Sequence, residues 1–339
     1  MFDVPVLLAL IVLVALLFDF TNGAHDCANA IATVVSTKVV TPRFAVGAAA
    51  LLNLGGALLG TEVAKTLGSG IVLPEVVEGS HVLVLAALVG AISWNCITWY
   101  FGIPSSSSHA LIGGLIGAAV ADVGFDALNI QGIVDKVLIP LVGSPLAGFA
   151  VGFASMWIIY WICGHIHRRK VNAAFRRLQL LSAAFMATSH GLNDAQKTMG
   201  IIALALYIFG KSDSLEVPLW VKLGCAGAMA LGTAVGGWKI VRTMGHRIFK
   251  LEPVHGFAVL GTVQYLKAEK SLESLKAMSS PSATLLRGGI KVQVPSPEVV
   301  PGDILLLEAG DLITAWILTL PAAGSVGFVA YKLLHHIWN

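Results

Sequence analysis

Long apolar runs, each broken or bounded by a short polar cluster, set the pattern of this chain. The runs fall at about 4–20, 42–60, 80–101, 137–163, 180–187 continuing to 199–209, 217–241 and 312–334. A helix that crosses a bilayer needs about 20 mostly apolar residues, so the runs predict membrane-spanning helices. The polar clusters are Asn22-Gly-Ala-His-Asp-Cys-Ala-Asn29, Pro104-Ser-Ser-Ser-Ser-His109 and Ser189-His-Gly-Leu-Asn-Asp-Ala-Gln-Lys197. Interrupted helices at membrane depth occur only where they face protein or a water-filled cavity, and transporters build substrate sites from them. The clusters are therefore read as helix breaks that line a site. The first run, Val4 to Leu17, has no basic leader and is followed by Asp19 and further spans, so it reads as a retained helix and not a signal peptide.

Composition agrees with a bilayer as solvent. The 339 residues are 56% hydrophobic and 12% charged, against about 25% charged in a soluble domain. A net charge of +3 gives no sign of a nucleic-acid partner. Cys27, Cys96, Cys163 and Cys225 are far apart with no CxxC spacing, and read as small buried hydrophobes, with no disulfide and no metal site. The segment 164–179 carries Arg168, Arg169, Lys170, Arg176 and Arg177 and no acid. The positive-inside rule makes it a basic cytoplasmic loop; it anchors the topology, or binds lipid headgroups or a regulator.

The chain also repeats itself. Gly23-Ala-His-Asp-Cys-Ala-Asn29 echoes Gly191-Leu-Asn-Asp-Ala-Gln-Lys197, with Gly and Asp in register 168 residues apart. The predicted fold is an all-α polytopic membrane protein, internally duplicated, with re-entrant half-helices. Residues 1–163 form a first membrane repeat and 180–263 a second, incomplete one. Residues 264–311 form a small soluble α+β insert, and 312–339 a last membrane helix. The insert is predicted from a soluble-looking helix at Gln264–Lys276 and from strands at Ala283–Val294, around a Gly-Gly turn, and at Gly302–Glu308.

Asp26 and Asp194 are the most informative residues. A carboxylate in a membrane segment costs about 3 kcal/mol on insertion scales, so it needs a partner or a task. Asn22 and Asn29 stand near the first, and Asn193, Gln196 and Thr198 near the second. Such oxygens suit a hard cation, and a carboxylate can relay a proton; the alternative is that each Asp caps a half-helix. Lys197 either neutralises Asp194 or attracts an anion. Ser105, Ser106, Ser107 and Ser108 follow Pro104 and precede an apolar run. The proline is read as starting a half-helix whose first turn holds the serines. Free N–H groups and hydroxyls there make an anion site without a basic residue; the alternative is a plain N-cap. His25, His109 and His190 are structural or couple protons. Glu62 and Lys65 stand one turn apart and are a further candidate pair.

These motifs resemble those of a known family. Gly23-Ala-His-Asp-Cys-Ala-Asn-Ala30 is similar to the signature of inorganic phosphate transporters (the PiT family), whose third position is usually Asn. Ser189-His-Gly-Leu-Asn-Asp-Ala-Gln-Lys-Thr-Met-Gly200 resembles the second, bacterial copy, and Gly102-Ile-Pro-Ser-Ser-Ser-Ser-His109 the Pro-x-Ser-Thr-Thr-His hairpin. The resemblance covers about 1–257 and resumes at about 312–339. It implies an inverted-repeat transporter of phosphate with Na⁺ or H⁺. Asp26, Asn29 and Asp194, with Asn193 beside the last, would serve cation coupling. Ser106, Ser107 and Ser108, with Ser105, would hold phosphate.

The chain departs from that pattern in three places. His25 replaces Asn, Lys65 stands where some members have an acid, and no second hairpin motif appears near 274, where the duplication would place it. Ser279–Thr284 is Ser-rich but lacks apolar flanks. Instead Lys267–Thr284 and Val300–Asp311 resemble the start of a P-type ATPase actuator domain. The Thr-Gly-Glu and Asp-Lys-Thr-Gly motifs are missing, which argues against an ATP-driven cation pump. The expected function is secondary transport of inorganic phosphate, with sulfate or arsenate as weaker variants. No enzymatic activity and no cofactor beyond a Na⁺ or H⁺ coupling ion are expected. The expected setting is a bacterial inner membrane, with lipid as a partner and self-association left open. The alternative is a fused or decayed chain that keeps the fold without transporting.

Overall fold

The computed structural model describes residues 4–60, 71–72, 80–244, 253, 282–287, 290–295, 304–306 and 310–338. Its helices are α1 (Val4–Ser36), α2 (Pro42–Leu58), α3 (His81–Phe101), α4 (Ser107–Asp122), α5 (Ile139–Cys163), α6 (Arg168–Ile208), α7 (Leu219–Val235), α8 (Trp238–Arg242) and α9 (Gly310–Trp338). One turn at Ile130–Ile133 and a π-helical stretch at Val134–Leu138 lead into α5. Among the described residues Pro5–Ser36, Val82–Phe101 and Ile139–Cys163 are long and apolar enough to cross a membrane. The chain is a multi-pass integral membrane protein. Phe149, Phe153, Trp157, Tyr160 and Trp161 of α5 are all exposed, and a solvent-facing helix in water would not carry that face. In a bilayer it meets acyl chains, with Trp and Tyr toward the headgroups.

Two expected breaks are absent. The clusters at 22–29 and 189–197 lie inside unbroken helices, α1 and α6, so Asp26 and Asp194 are mid-helix and do not cap half-helices. The polar residues of α1 explain this. Asp19, Asn22, Asp26, Asn29 and Thr33 recur at spacings of three and four, line one face and are all buried. Asp19 accepts from Thr198 of α6 and Asp26 lies beside His190 of the same helix, so this face is turned into the protein while the backbone ladder of α1 stays closed. The basic segment is helical from Arg168, forming the first turns of α6. Arg176 donates to the Lys38 carbonyl at 2.9 Å and Thr37 to Gln179 Oε1 at 3.1 Å, tying that end of α6 to the turn after α1.

The serine cluster is a true break. α3 ends on Gly102, whose φ of 69° is the left-handed conformation glycine adopts without strain. The chain then runs extended to Ser106, the N-cap of α4, whose hydroxyl accepts from the His109 N–H at 3.3 Å. Pro104 thus precedes the cap and does not occupy the first helical position. Ser107 and Ser108 form the first turn, and Ser105 lies outside it. The 16 residues of α4 rise about 24 Å, short of the about 30 Å hydrocarbon core.

α1 runs through the middle. Leu7, Ile11 and Phe18 share one buried cluster with Leu83, Leu85 and Leu88 of α3, Met199 and Ile202 of α6 and Met229 of α7. The duplication is visible in how the helices cross. A Cβ on Gly23 of α1 would lie 2.3 Å from the Met229 carbonyl oxygen of α7, and one on Gly191 of α6 would lie 2.0 Å from that of Asn53 in α2. Reciprocally, Gly232 of α7 abuts the Phe20 carbonyl and Gly56 of α2 the Thr188 carbonyl. Gly23 and Gly191 are 168 residues apart, as are Phe20 and Thr188; Asn53 and Met229 are 176 apart, as are Gly56 and Gly232. Each half lends a helix to the other in the same way. A second close-packed group joins α9 to α3 and α4, with Gly117 against Gly324 and Gly327 against Gly114.

The predicted strands are present. β1 (Ser282–Arg287) pairs antiparallel with β2 (Ile290–Pro295), and β3 (Ile304–Leu306) pairs antiparallel with the other edge of β1. Residues 282–284, part of the Ser-rich tract at 279–284, are strand and not the start of a second hairpin. Glu62, Lys65, the helix predicted at 264–276 and the Gly288-Gly289 turn lie outside the described residues.

Replacing Gly191 by Ala should destabilise the protein by about 1–3 kcal/mol through overpacking. Gly47→Ala, where nothing lies within 4 Å, should not. Thermal unfolding of the two variants in detergent compares them.

Candidate substrate and cation site

The α1–α7 and α6–α2 crossings bring the two motif carboxylates together. Asp26 and Asp194 are 7% and 3% exposed, and His190 lies between them at 2%. His190 Nε2 is 3.0 Å from Asp194 Oδ2 and 3.9 Å from Asp26 Oδ2. These are ion-pair distances, but Nε2 has no aligned hydrogen-bond partner. One ligand atom from each of Asp26, His190 and Asp194 lies within 4.8 Å of the others, a group that could hold a cation.

His190 is fixed from behind. Asn53 Nδ2 donates to Thr233 Oγ1 at 2.8 Å, which turns Asn53 Oδ1 toward His190 Nδ1 at 3.1 Å. Thr233 in turn donates to the Gly23 carbonyl at 3.4 Å. Oδ1 can only accept, so Nδ1 carries the hydrogen and Nε2 is the nitrogen presented to the carboxylates.

The contacts continue around a ring. His25 Nδ1 donates to Asp26 Oδ1 at 2.9 Å, while its Nε2 lies 3.1 Å from Thr98 Oγ1 and 3.3 Å from Ser105 Oγ. Thr98 donates to the Trp94 carbonyl at 2.8 Å and accepts from the Ser105 hydroxyl at 3.1 Å, so His25 Nε2, Thr98 and Ser105 form one polar cluster. On the other side Lys197 Nζ donates to Asp194 Oδ1 at 2.7 Å and also to Ser108 Oγ. The ring therefore runs from Ser105 through His25 and Asp26, across His190 to Asp194 and Lys197, and back to Ser108. It encloses the start of α4. Ser107 Oγ there is buried and has no hydrogen-bond partner among the described residues.

Of the residues singled out in the sequence, Asp26, Asp194, Ser105 and Ser108 are joined in this ring. Ser107 and the cap Ser106 lie between Ser105 and Ser108 in the chain, at the start of α4. Asn29 is buried and Asn193 half-buried, one on α1 and the other on α6. Sequence reasoning passed over Asn53 and Thr98, single polar residues in apolar runs. It used Asp19 only against a signal peptide. Asp19 is fully buried on the Asp26 face of α1 and accepts from Thr198 Oγ1 at 2.5 Å. A lone carboxylate in an apolar run was the available signal.

Comparison with known proteins gives the family. The model of the phosphate transporter family matches residues 22–265. The chain belongs to that family. It is 41% identical to a protein of Bacillus subtilis (strain 168) named a probable low-affinity inorganic phosphate transporter, over 98% of each chain. It is 43% identical to one of the same name from Mycobacterium tuberculosis (strain ATCC 25618 / H37Rv), over 98% of this chain and 78% of the relative. In fold it is similar to a solved structure described as the sodium-dependent phosphate transporter, with a TM-score of 0.79 and 21% identity over 98% of this chain and all of that one. The P-type ATPase actuator domain matches residues 277–320, which include the start of α9.

Asn53→Leu should cost about 1–3 kcal/mol, because it leaves His190 Nδ1 and Thr233 buried without their partner. Thermal unfolding beside Asn53→Gln, which keeps the amide, checks this; equal stability of Leu and wild type would contradict the assignment.

Proposed function

We propose that the protein is a secondary transporter that moves inorganic phosphate across a bacterial inner membrane together with Na⁺ or H⁺. The observation that carries this is the ring itself: one motif carboxylate from each half meets at His190, directly beside the start of α4. Among the described residues of the ring, Lys197 is the fixed cation set beside two carboxylates, Asp26 and Asp194. A buried charge deficit of this kind is costly and draws in a cation or a proton. The N-terminal turn of α4 offers the opposite, with free N–H groups, the helix dipole and the hydroxyls of Ser107 and Ser108 facing an anion. A phosphate bound there balances the cation, so the two are more stable together than apart. Asp26 and Asp194 would bind the coupling ion, with His25 and His190 holding them in place. The duplicated crossings suit alternating access between inverted repeats, in which one half rocks against the other. The name of the structural neighbour, a sodium-dependent phosphate transporter, favours Na⁺, whereas the two imidazoles favour H⁺.

Labelled phosphate uptake into proteoliposomes, with Na⁺ and pH gradients imposed separately, tests this. Uptake should follow one gradient and fall at least about tenfold in Asp26→Asn, a loss of about 1.4 kcal/mol. Ser107→Ala should raise the half-saturating phosphate concentration more than it lowers the maximal rate, as loss of plain binding does. Uptake by correctly inserted protein that follows neither gradient would contradict the proposal and leave a transporter fold without transport.

A further inference from the structure

Lys197 touches both halves of the site at once. Its ammonium donates to Asp194, in the cation half, and to Ser108, in the anion half. The side chain is 13% exposed, so water does little to disperse its charge. The charged or titratable groups around it are Asp194, Asp19, which lies within electrostatic reach of both, and Asp26 and His190 beyond Asp194.

The duplication shows that this charge is not a requirement of the helix crossing. The position matching Lys197 in the first half, 168 residues earlier, is Asn29, and α1 accommodates that neutral amide at the equivalent place. The cation was placed in one half only, next to the half-helix.

Resting on the phosphate-transport reading, we propose that Lys197 is an exchangeable internal counter-ion. It neutralises Asp194 while no other positive charge is present there. It turns to phosphate at Ser107 and Ser108 once an incoming positive charge neutralises Asp194. A lysine suits this exchange, because its ammonium is a compact charge with three donors on a flexible stem. No helix has to move for it to change partner. Cation binding then strengthens phosphate binding by releasing the lysine, and by linkage phosphate strengthens cation binding by the same factor. Coupling between the two substrates would therefore reside in one side chain.

The test is equilibrium binding of labelled inorganic phosphate to purified full-length protein, at fixed pH with choline in place of Na⁺. Asp194→Asn mimics the neutralised carboxylate whichever ion does so in transport. It should tighten phosphate binding about tenfold, within the usual range of coupling between sites. Lys197→Gln should weaken binding, and Asp194→Asn combined with Lys197→Gln should show almost none of the tightening. Lys197→Arg keeps the charge and should keep the response to Asp194→Asn, which separates a charge effect from a folding defect. Full tightening in the double variant would overturn the proposal, because the gain would then come only from removing a negative charge near phosphate. So would Asp194→Asn binding phosphate no better than wild type. Absence of saturable phosphate binding by the wild type would instead overturn the transport reading on which the proposal stands.

Discussion

Two buried carboxylates that must share their compensation govern this structure. A charged side chain at membrane depth costs about 2.5–3.5 kcal/mol on insertion scales, and two close together repel. Asp26 and Asp194 stand on either side of the His190 imidazole, with His25 beside the first and Lys197 beside the second. The rest of the architecture serves to hold that arrangement. Glycines at the α1–α7 and α6–α2 crossings let backbones touch, as small residues do where lipid offers no hydrophobic drive for association. Without that close approach the two halves of the ring would not meet.

The same constraint gives the serine break its place. Ser105 reaches back to His25 and Ser108 to Lys197, so the start of α4 is attached to the carboxylates of both halves. On the proposed function, an anion at the start of α4 and a cation at the carboxylates would each favour the other.

Much of this was legible in the sequence. The three motifs, their order and the 168-residue repeat singled out Asp26, Asp194 and the serines, and the described structure places them in one site. The course of α1 and α6 was misread because polar runs were taken as breaks. The spacing of Asp19, Asn22, Asp26, Asn29 and Thr33 carries the helical period, so a buried polar face was the reading the pattern supported. Asn53 was invisible for a different reason. Its role depends on Thr233 and His190, 180 and 137 residues away, and no local pattern encodes such a meeting. The strands at 282–287 and 290–295 were readable because β-branched and aliphatic residues flank a Gly-Gly pair. The match of 277–320 to an actuator domain agrees with that reading, although relatives named as phosphate transporters align across nearly the whole chain.

The most direct measurement of the central claim is an experimental structure of the protein in lipid nanodiscs with phosphate and the coupling ion bound. The account predicts phosphate density at the first turn of α4, against Ser107 and Ser108, with Asp26 and Asp194 still converging on His190 a few ångströms away. Phosphate bound elsewhere, or the two carboxylates separated into unconnected environments in every state captured, would contradict it.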